Sequence, residues 1–355
     1  MRCTLVLGAA AAPTGPRDLS GYTYSQYLAD FGKNRAGDDV TQRAPIFQKN
    51  LKIIQEHNTN YLAGTQQWWM DVNDFADWTP AELAKLTKKK PELSGRIPAQ
   101  AAPLRAASTP ASVDWRAKGV ETPVKNQGGC GSCWAFSATE TMESRYAIAT
   151  GNLVKLAPQA FVDCVQNPQE CGGTGGCEGA VEELAFNLTA NQGQPLESDY
   201  PYTGEDGQCK QYTPAVTCEG FVKLPENDAG ALQAALAEGP VSVGVAASQW
   251  SLYGGGVFDG CTGTTGAIQN HGVSAVGYTP DYWIIRNSWG ASWGQDGYIY
   301  LSRAKDDVTT EDTDPADGSA CKPYPKTQVV GGECAVLSDS SYPTGVKSAS
   351  ASVVV

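Results

Sequence analysis

The chain has 355 residues, 41% of them hydrophobic, with nine Trp and fifteen Tyr, which can fill two or three compact cores and excludes wholesale disorder. A formal net charge of −12 argues against nucleic acid as a partner, which needs clustered Lys and Arg. Eleven cysteines are many for a reducing cytosol and point to the secretory pathway.

In chain order, Arg2 precedes an apolar small-residue stretch from Cys3 to Ala12, read as a short signal peptide over residues 1–15. No later apolar run approaches the ~18 residues of a membrane-spanning helix. From 22 to 58, Tyr24, Tyr27, Leu28 and Phe31, then Phe47, Leu51 and Ile54, recur at three- and four-residue steps and predict helix. A second amphipathic stretch closes at Thr79–Leu83, with Thr79 as N-cap and Pro80 at the first helical position. Residues 88–112 carry a Lys run, four prolines and many Ala and Ser, the texture of a linker. Beyond it, a helix is predicted from Cys133 to Thr150, stopped by Gly151. Residues 241–301 alternate as strands through Val241, Val243, Val245, Val273, Ala275, Tyr282, Ile284, Tyr298 and Tyr300. A helical half followed by a strand-rich half predicts an α+β fold in two lobes with a cleft between them. Residues 346–355 read as a frayed tail.

The sharpest chemical signal is Gln127-Gly128-Gly129-Cys130-Gly131-Ser132-Cys133-Trp134. Glycines before a helix put Cys133 at its N-terminus, where the dipole favours a thiolate by at most about 2 kcal/mol. A nucleophile needs more than that, so a charged partner is required. The chain has two histidines, and His57 precedes the linker, which leaves His271. Asn270-His271-Gly272-Val273 opens one strand, and Arg286-Asn287-Ser288-Trp289-Gly290 follows the next, so nucleophile, base and a group to orient the base are all present. Three rivals compete with this reading. A thioredoxin-type use of Cys130-Gly131-Ser132-Cys133 leaves His271, Asn287 and Gln127 without roles and lacks a βαβ setting. A zinc site needs paired Cys and His clusters that are missing here. A catalytically dead binding or storage homologue would ordinarily have lost the nucleophile or the base.

Cys130-Gly131-Ser132-Cys133-Trp134 with His and Asn far downstream resembles the signature of papain and the cathepsins. Further similar stretches, in family order, are Ala111–Arg116, Thr122–Gln127, Ser198–Tyr202 and Ser340–Pro343. Asp39, Arg43, Phe47, Asn50, Ile54 and Asn58, followed by Asn73, Phe75 and Asp77, resemble the inhibitory prosegment of cathepsin L-like enzymes. Asp39 stands where that family usually has Glu, and Asp71 where it usually has Gly.

The resemblance implies a papain-like cysteine endopeptidase precursor with a helical prodomain. The division would be a prosegment at 22–88, a processing region at 89–110 and a peptidase domain at 111–345. It implies Cys133 as nucleophile, His271 as base, Asn287 as ring orienter shielded by Trp289, and Gln127 as oxyanion donor. Gly131, Glu178 and Gly179 would floor the cleft. Ala180, Val181 and Gly272 would wall the dominant pocket, with Asp339 at its base admitting basic as well as apolar side chains. The implied disulfides are Cys130–Cys177, Cys164–Cys209 and Cys261–Cys334, to which Cys171–Cys218 is added, with Cys321 of an acidic insertion at 305–331 able to compete for Cys261. No obstructing insertion is seen near 163–200, which favours an endopeptidase over an exopeptidase. No cofactor and no metal are expected. The expected partners are peptide or protein substrates, the chain's own prosegment and cystatin-like inhibitors, met by a monomer in an acidic lysosome- or vacuole-like compartment or outside the cell. Acid is expected to favour release of the prosegment by loosening ion pairs of Asp39, Glu56 and Asp77.

Overall fold

A computed structural model describes residues 15–87, 109–261 and 267–349. The expected signal peptide and linker fall almost wholly outside them. The N-terminal unit opens with α1 (Tyr24–Asp30), started by a capping box between Thr23 and Gln26. In α2 (Asp38–Leu62) the three- and four-residue steps of Phe47, Leu51, Ile54 and Asn58 form the buried face. That face packs on Tyr24, Tyr27, Val72 and Ala76 in a small core that also takes in Leu252 of the second lobe. β1 (Trp68–Met70) follows, and α3 (Pro80–Leu83) is a single turn, capped reciprocally by Thr79 and Glu82 with Pro80 at its start. The amphipathic stretch before Thr79 is not helical. The Asn73 side chain accepts the Phe75 N–H, a local turn that competes with helix.

After β2 (Val113–Asp114), α4 runs from Cys133 to Thr150 and stops at Gly151, whose φ of 75° suits glycine. With α5 (Pro158–Cys164), α6 (Glu182–Gln192) and β3 (Val216–Thr217), it builds a helical lobe around Trp134, Met142, Phe161 and Phe186. The second lobe contains β4 (Gly220–Lys223), α7 (Ala229–Glu238), β5 (Val241–Val245), β6 (Tyr253–Phe258), β7 (His271–Tyr278), β8 (Tyr282–Arg286) and β9 (Tyr298–Ser302). A hairpin of β10 (Thr309–Asp312) and β11 (Gln328–Gly331) follows, then β12 (Ser340–Thr344) and β13 (Lys347–Ser348). Among the described residues the main sheet runs β1-β6-β9-β8-β7-β5-β12-β4, with β2 added on β7. Its core gathers Val243, Val273, Trp250, Trp283 and Trp293. No described helix is long and apolar enough to cross a membrane.

β1 of the N-terminal unit extends that sheet by pairing antiparallel with β6, Trp68 opposite Gly256 and Trp69 opposite Gly255. A Cβ on Gly255 would strike the Trp69 ring, and one on Gly256 would strike the backbone at Gln67 and Trp68. The Gly254-Gly255-Gly256 run therefore leaves room for the incoming strand.

Two expectations are corrected. The start of the tail is structured: β13 pairs with β3, and Ser348 Oγ lies 2.8 Å from the Tyr146 hydroxyl. Bridges join Cys130–Cys177, Cys164–Cys209 and Cys261–Cys334, but Cys171 is joined to Cys321, not to Cys218. Cys218 is held inside the helical-lobe core, where its thiol donates to the Phe186 carbonyl. Cys171 is buried in the loop before Cys177, which the 305–331 insertion covers, so Cys321 meets Cys171 and leaves Cys261 to Cys334.

Candidate active site

α4 starts at Cys133, and that residue is fully buried. The first turn of the helix lies against the start of β7. Ser137 Oγ donates to the Val273 carbonyl at 2.7 Å, and a Cβ on Gly272 would sit 3.2 Å from the Cα of Trp134. Glycine at 272 thus permits helix and strand to approach closely, bringing His271, the first residue of β7, to the level of Cys133. Cys130 is bonded to Cys177, so it cannot form a redox couple with Cys133.

His271 Nε2 donates to Asn287 Oδ1 at 2.8 Å, and both residues are buried. The Trp289 ring lies over the imidazole with centroids 4.9 Å apart, and Trp250 meets it edge-on at 6.2 Å. This apolar cover keeps water from the His–Asn bond. Gln127 is also fully buried, and its Nε2 donates to the carbonyls of Cys130 at 3.0 Å and Leu86 at 3.2 Å. Its Oε1 accepts the Ser288 hydroxyl at 2.7 Å, while the Ser288 N–H donates to Asn287 Oδ1 at 2.8 Å. Ser288 therefore ties the amide of Gln127 to that of Asn287. Ser288 follows Asn287 in sequence, yet only the folded structure reveals this link.

Gly131 contacts the other wall of the cleft. Its N–H donates to the Cys177 carbonyl at 2.9 Å, and a Cβ there would collide with that carbonyl. Glu178 is exposed, Gly179 follows it at φ 93°, and Ala180 and Val181 are buried before α6. Gly272 pairs with Gly244 across β7 and β5, and Gly244 lies against Asp339. Sequence reasoning missed three neighbours of this pocket. A Cβ on Gly272 would strike the Glu182 carboxylate, Gln269 Nε2 donates to the Gly244 carbonyl at 3.1 Å, and Lys223 reaches in from β4. Lys223 Nζ lies 2.7 Å from Asp339 Oδ1 and 3.2 Å from Glu183 Oε1. Burial pulls the Lys223 ammonium down, but the carboxylates of Asp339 and Glu183 outweigh it and raise the group above its ordinary value. Asp339 is thus already charge-paired.

The N-terminal unit enters the same cleft. Phe75 packs edge-on against Trp289 at 5.6 Å, Asn73 Nδ2 donates to the Ser251 carbonyl at 2.8 Å, and Leu86 is buried where its carbonyl meets Gln127. A peptide carbonyl of the chain itself therefore occupies the amide donor beside Cys133.

The papain family cysteine protease domain matches residues 109–316, and the cathepsin propeptide inhibitor domain matches residues 24–83. The chain belongs to the papain family of cysteine proteases.

Among its relatives, a "Cathepsin L-like proteinase" of Phaedon cochleariae is 37% identical, across 78% of this chain and 88% of that protein. "Procathepsin L" of Mus musculus is 36% identical, across 85% and 93%. The "Probable cysteine protease RD21B" of Arabidopsis thaliana is 39% identical over 79% of this chain, but the chain spans only 62% of that protein's length. Among solved structures, procathepsin L2 proteinase from Tenebrio molitor larval midgut superposes with a TM-score of 0.74 at 32% identity, covering 90% of this chain and 98% of that one. A recombinant stem bromelain precursor gives 0.72 at 31%, covering 91% and 97%. The fold is the papain-like two-lobed α+β fold preceded by a helical prodomain, and the prosegment belongs to the inhibitory cathepsin class.

Proposed function

We propose that this papain-family chain is a cysteine endopeptidase zymogen whose prosegment lies in its own active site. The observation that carries this reading is the Leu86 carbonyl on Gln127 Nε2, beside a helix-terminal Cys133 and an Asn-held His271. Once the prosegment has left, a substrate carbonyl takes that place. The Cys133 thiolate attacks its carbon, and the oxyanion is held by Gln127 Nε2 and the Cys133 N–H, donors set in advance and worth several kcal/mol. Asn287 fixes Nε2 of His271, so Nδ1 serves proton exchange with Cys133. The C–N bond breaks as His271 protonates the leaving amine, leaving a thioester on Cys133. His271 then takes a proton from water, which attacks the thioester and frees the acid.

The division into signal peptide (1–15), prosegment (22–88), processing region (89–110), peptidase (111–345) and tail (346–355) remains part of this proposal, with the tail's first residues docked on the helical lobe. Ala180, Val181, Gly272 and Asp339 would form the dominant pocket. Because Lys223 already occupies Asp339, Leu is favoured there over Arg. The enzyme acts as a monomer in an acidic compartment of the secretory pathway or outside the cell, open to cystatin-like inhibitors.

The test is acid incubation of the purified precursor with an alkylating thiol label, read by intact and peptide mass. The expected result is loss of the prosegment, peptide hydrolysis and a label on Cys133, with all three absent in Cys133→Ala. Hydrolysis at the wild-type rate by Cys133→Ala would sink the reading.

A further inference from the structure

The 305–331 insertion loops out from the β-rich lobe to the helical one and returns in β11. Its base is fixed to the wall that carries His271. The β10–β11 hairpin buries Val330 against Ala267 and Ala335, and Ser319 Oγ donates to Gln269 Oε1 at 3.1 Å. Gly318 lies so close over Gln269 that a Cβ there would sit 3.1 Å from its carbonyl. Its far end is fixed to the loop before Cys177. The Gly172 N–H donates to the Ala320 carbonyl at 3.0 Å, and the Lys322 N–H to the Gln169 carbonyl at 2.9 Å. Lys322 Nζ pairs with Glu170 at 2.6 Å, the Tyr324 hydroxyl donates to the Glu170 carbonyl at 3.0 Å, and Cys321 is bonded to Cys171. That loop is itself locked to the cleft floor, since Gly173 is pressed against the carbonyls of Glu178 and Gly179. Just ahead of Gly318, Asp317 borders the same chamber as Leu86, Thr87, Asn270 and Trp289. The other three bridges each join residues within one lobe or its own loops, whereas this one ties a segment rooted in one wall to the opposite wall.

We propose that residues 312–324 form a covalently closed strap across the pocket-side arm of the cleft, and that it restricts substrates to peptides whose chain before the cut is short or unfolded. The inference rests on the peptidase reading above and takes its pocket of Gly272 and Asp339, with Gln269 beside it, as the side that receives residues preceding the scissile bond. A chain running along that arm meets a bridge pinned at both walls. It must end before the strap, turn out of the cleft, or be threaded beneath as an extended strand. A loop of a folded protein can do none of these. The restriction is one-sided, because the described residues place no such bridge on the side beyond Trp289, where the prodomain docks. An insertion distant in sequence thus reaches the 163–200 region, where the sequence itself has no obstruction.

The experiment uses acid-matured enzyme and three substrates sharing one cleavage sequence. One is the free peptide. One has a small folded domain attached about four residues before the cut, some 13 Å of extended chain, and one has the same domain equally far after it. The expected result is a kcat/KM at least about tenfold lower, or 1.4 kcal/mol, for the domain placed before the cut than for the domain placed after it. A second enzyme, with 313–325 replaced by a short Gly-Ser link and Cys171→Ser, should cleave both fusions at similar rates. Equal cleavage of both fusions by the unmodified enzyme overturns the strap, whether or not the second enzyme folds. Failure to cleave even the free peptide, or cleavage that persists in Cys133→Ala, would instead strike the peptidase reading on which the strap depends.

Discussion

Gln127, Asn287 and Ser288 form one hydrogen-bonded unit, in which the Ser288 hydroxyl on Oε1 and the Cys130 carbonyl on Nε2 together set which way the Gln127 amide faces. Were that amide turned over, a carbonyl oxygen would meet the oxyanion and repel it. Ser288→Ala removes one buried hydrogen bond of about 1 kcal/mol. We expect a roughly fivefold fall in kcat, with KM little changed, since the effect falls on a transition-state contact. Asn287→Ala should reduce kcat further while leaving some activity, and Cys133→Ala should abolish it. The Lys223–Asp339 pair supports a second prediction at this scale. Lys223→Met uncovers the Asp339 carboxylate, so the ratio of Arg to Leu turnover at the second residue before the cut should rise by the equivalent of about 1–3 kcal/mol. Kinetics on two peptides differing only there measure it, and an unchanged ratio would remove Asp339 from the pocket.

The prosegment is held by an added strand, an aromatic contact and an ion-pair cluster. Arg43 grips Glu82 at two points, 2.9 and 2.6 Å, and also bonds Asp39. Asp77 is paired with Lys33 and Arg35, while Glu56 meets Lys52 on an exposed face. Glu82 adds an acid-sensitive group to these pairs. The Arg43 hydrogen bonds hold its carboxyl down to about 2 against the burial that would raise it. Its folded value lies below its unfolded value of about 4.5, so its contribution is complete above that pH and fades as pH falls toward 2. Glu82→Gln should flatten the dependence of prosegment release on pH below about 4.5 and weaken inhibition at neutral pH. Titration of release against pH checks this. Gly255→Val tests the strand, because its side chain would meet the Trp69 ring. Prosegment binding should weaken by at least tenfold, about 1.4 kcal/mol, while the matured enzyme hydrolyses peptides as before.

Across the whole molecule, acid acts oppositely on the catalytic part. Glu140 is fully buried 3.2 Å from Arg286, and desolvation, only partly offset by Arg286 and Lys125, pushes its carboxyl up to about 7. With the folded value above the unfolded one, unfolding releases a proton between about pH 4.5 and 7. This group's contribution to stability therefore declines as pH rises through that range. Glu140→Gln should flatten the pH dependence of Tm over that window in the matured enzyme, and an unaltered slope would show that Glu140 is not its source. The cysteine framework is testable at the same scale. Thiol labelling of the unreduced, denatured chain from residue 16 onward should modify Cys133 and Cys218 only. A label on Cys321 would deny the bridge to Cys171.

Residues whose role follows from local chain chemistry were readable without the fold. Cys133 at a glycine-led helix start, Gly151 at the helix stop, the Thr79 cap, and the rhythm of Phe47, Leu51 and Ile54 all depend on neighbours a few positions away. The two-lobed class followed from the change of periodicity along the chain, and the single histidine after the linker left one base to choose. What only the tertiary structure decided are contacts between segments far apart in sequence. The partner of Cys171 lies 150 residues away, Lys223 and Asp339 are joined by strand pairing within the sheet, and Ser288 acts through Gln127, whose Leu86 contact comes from the prosegment. Periodicity reports which face of an element is buried, but not which distant element covers it, and for that reason the strap and the charged pocket had to await the folded chain.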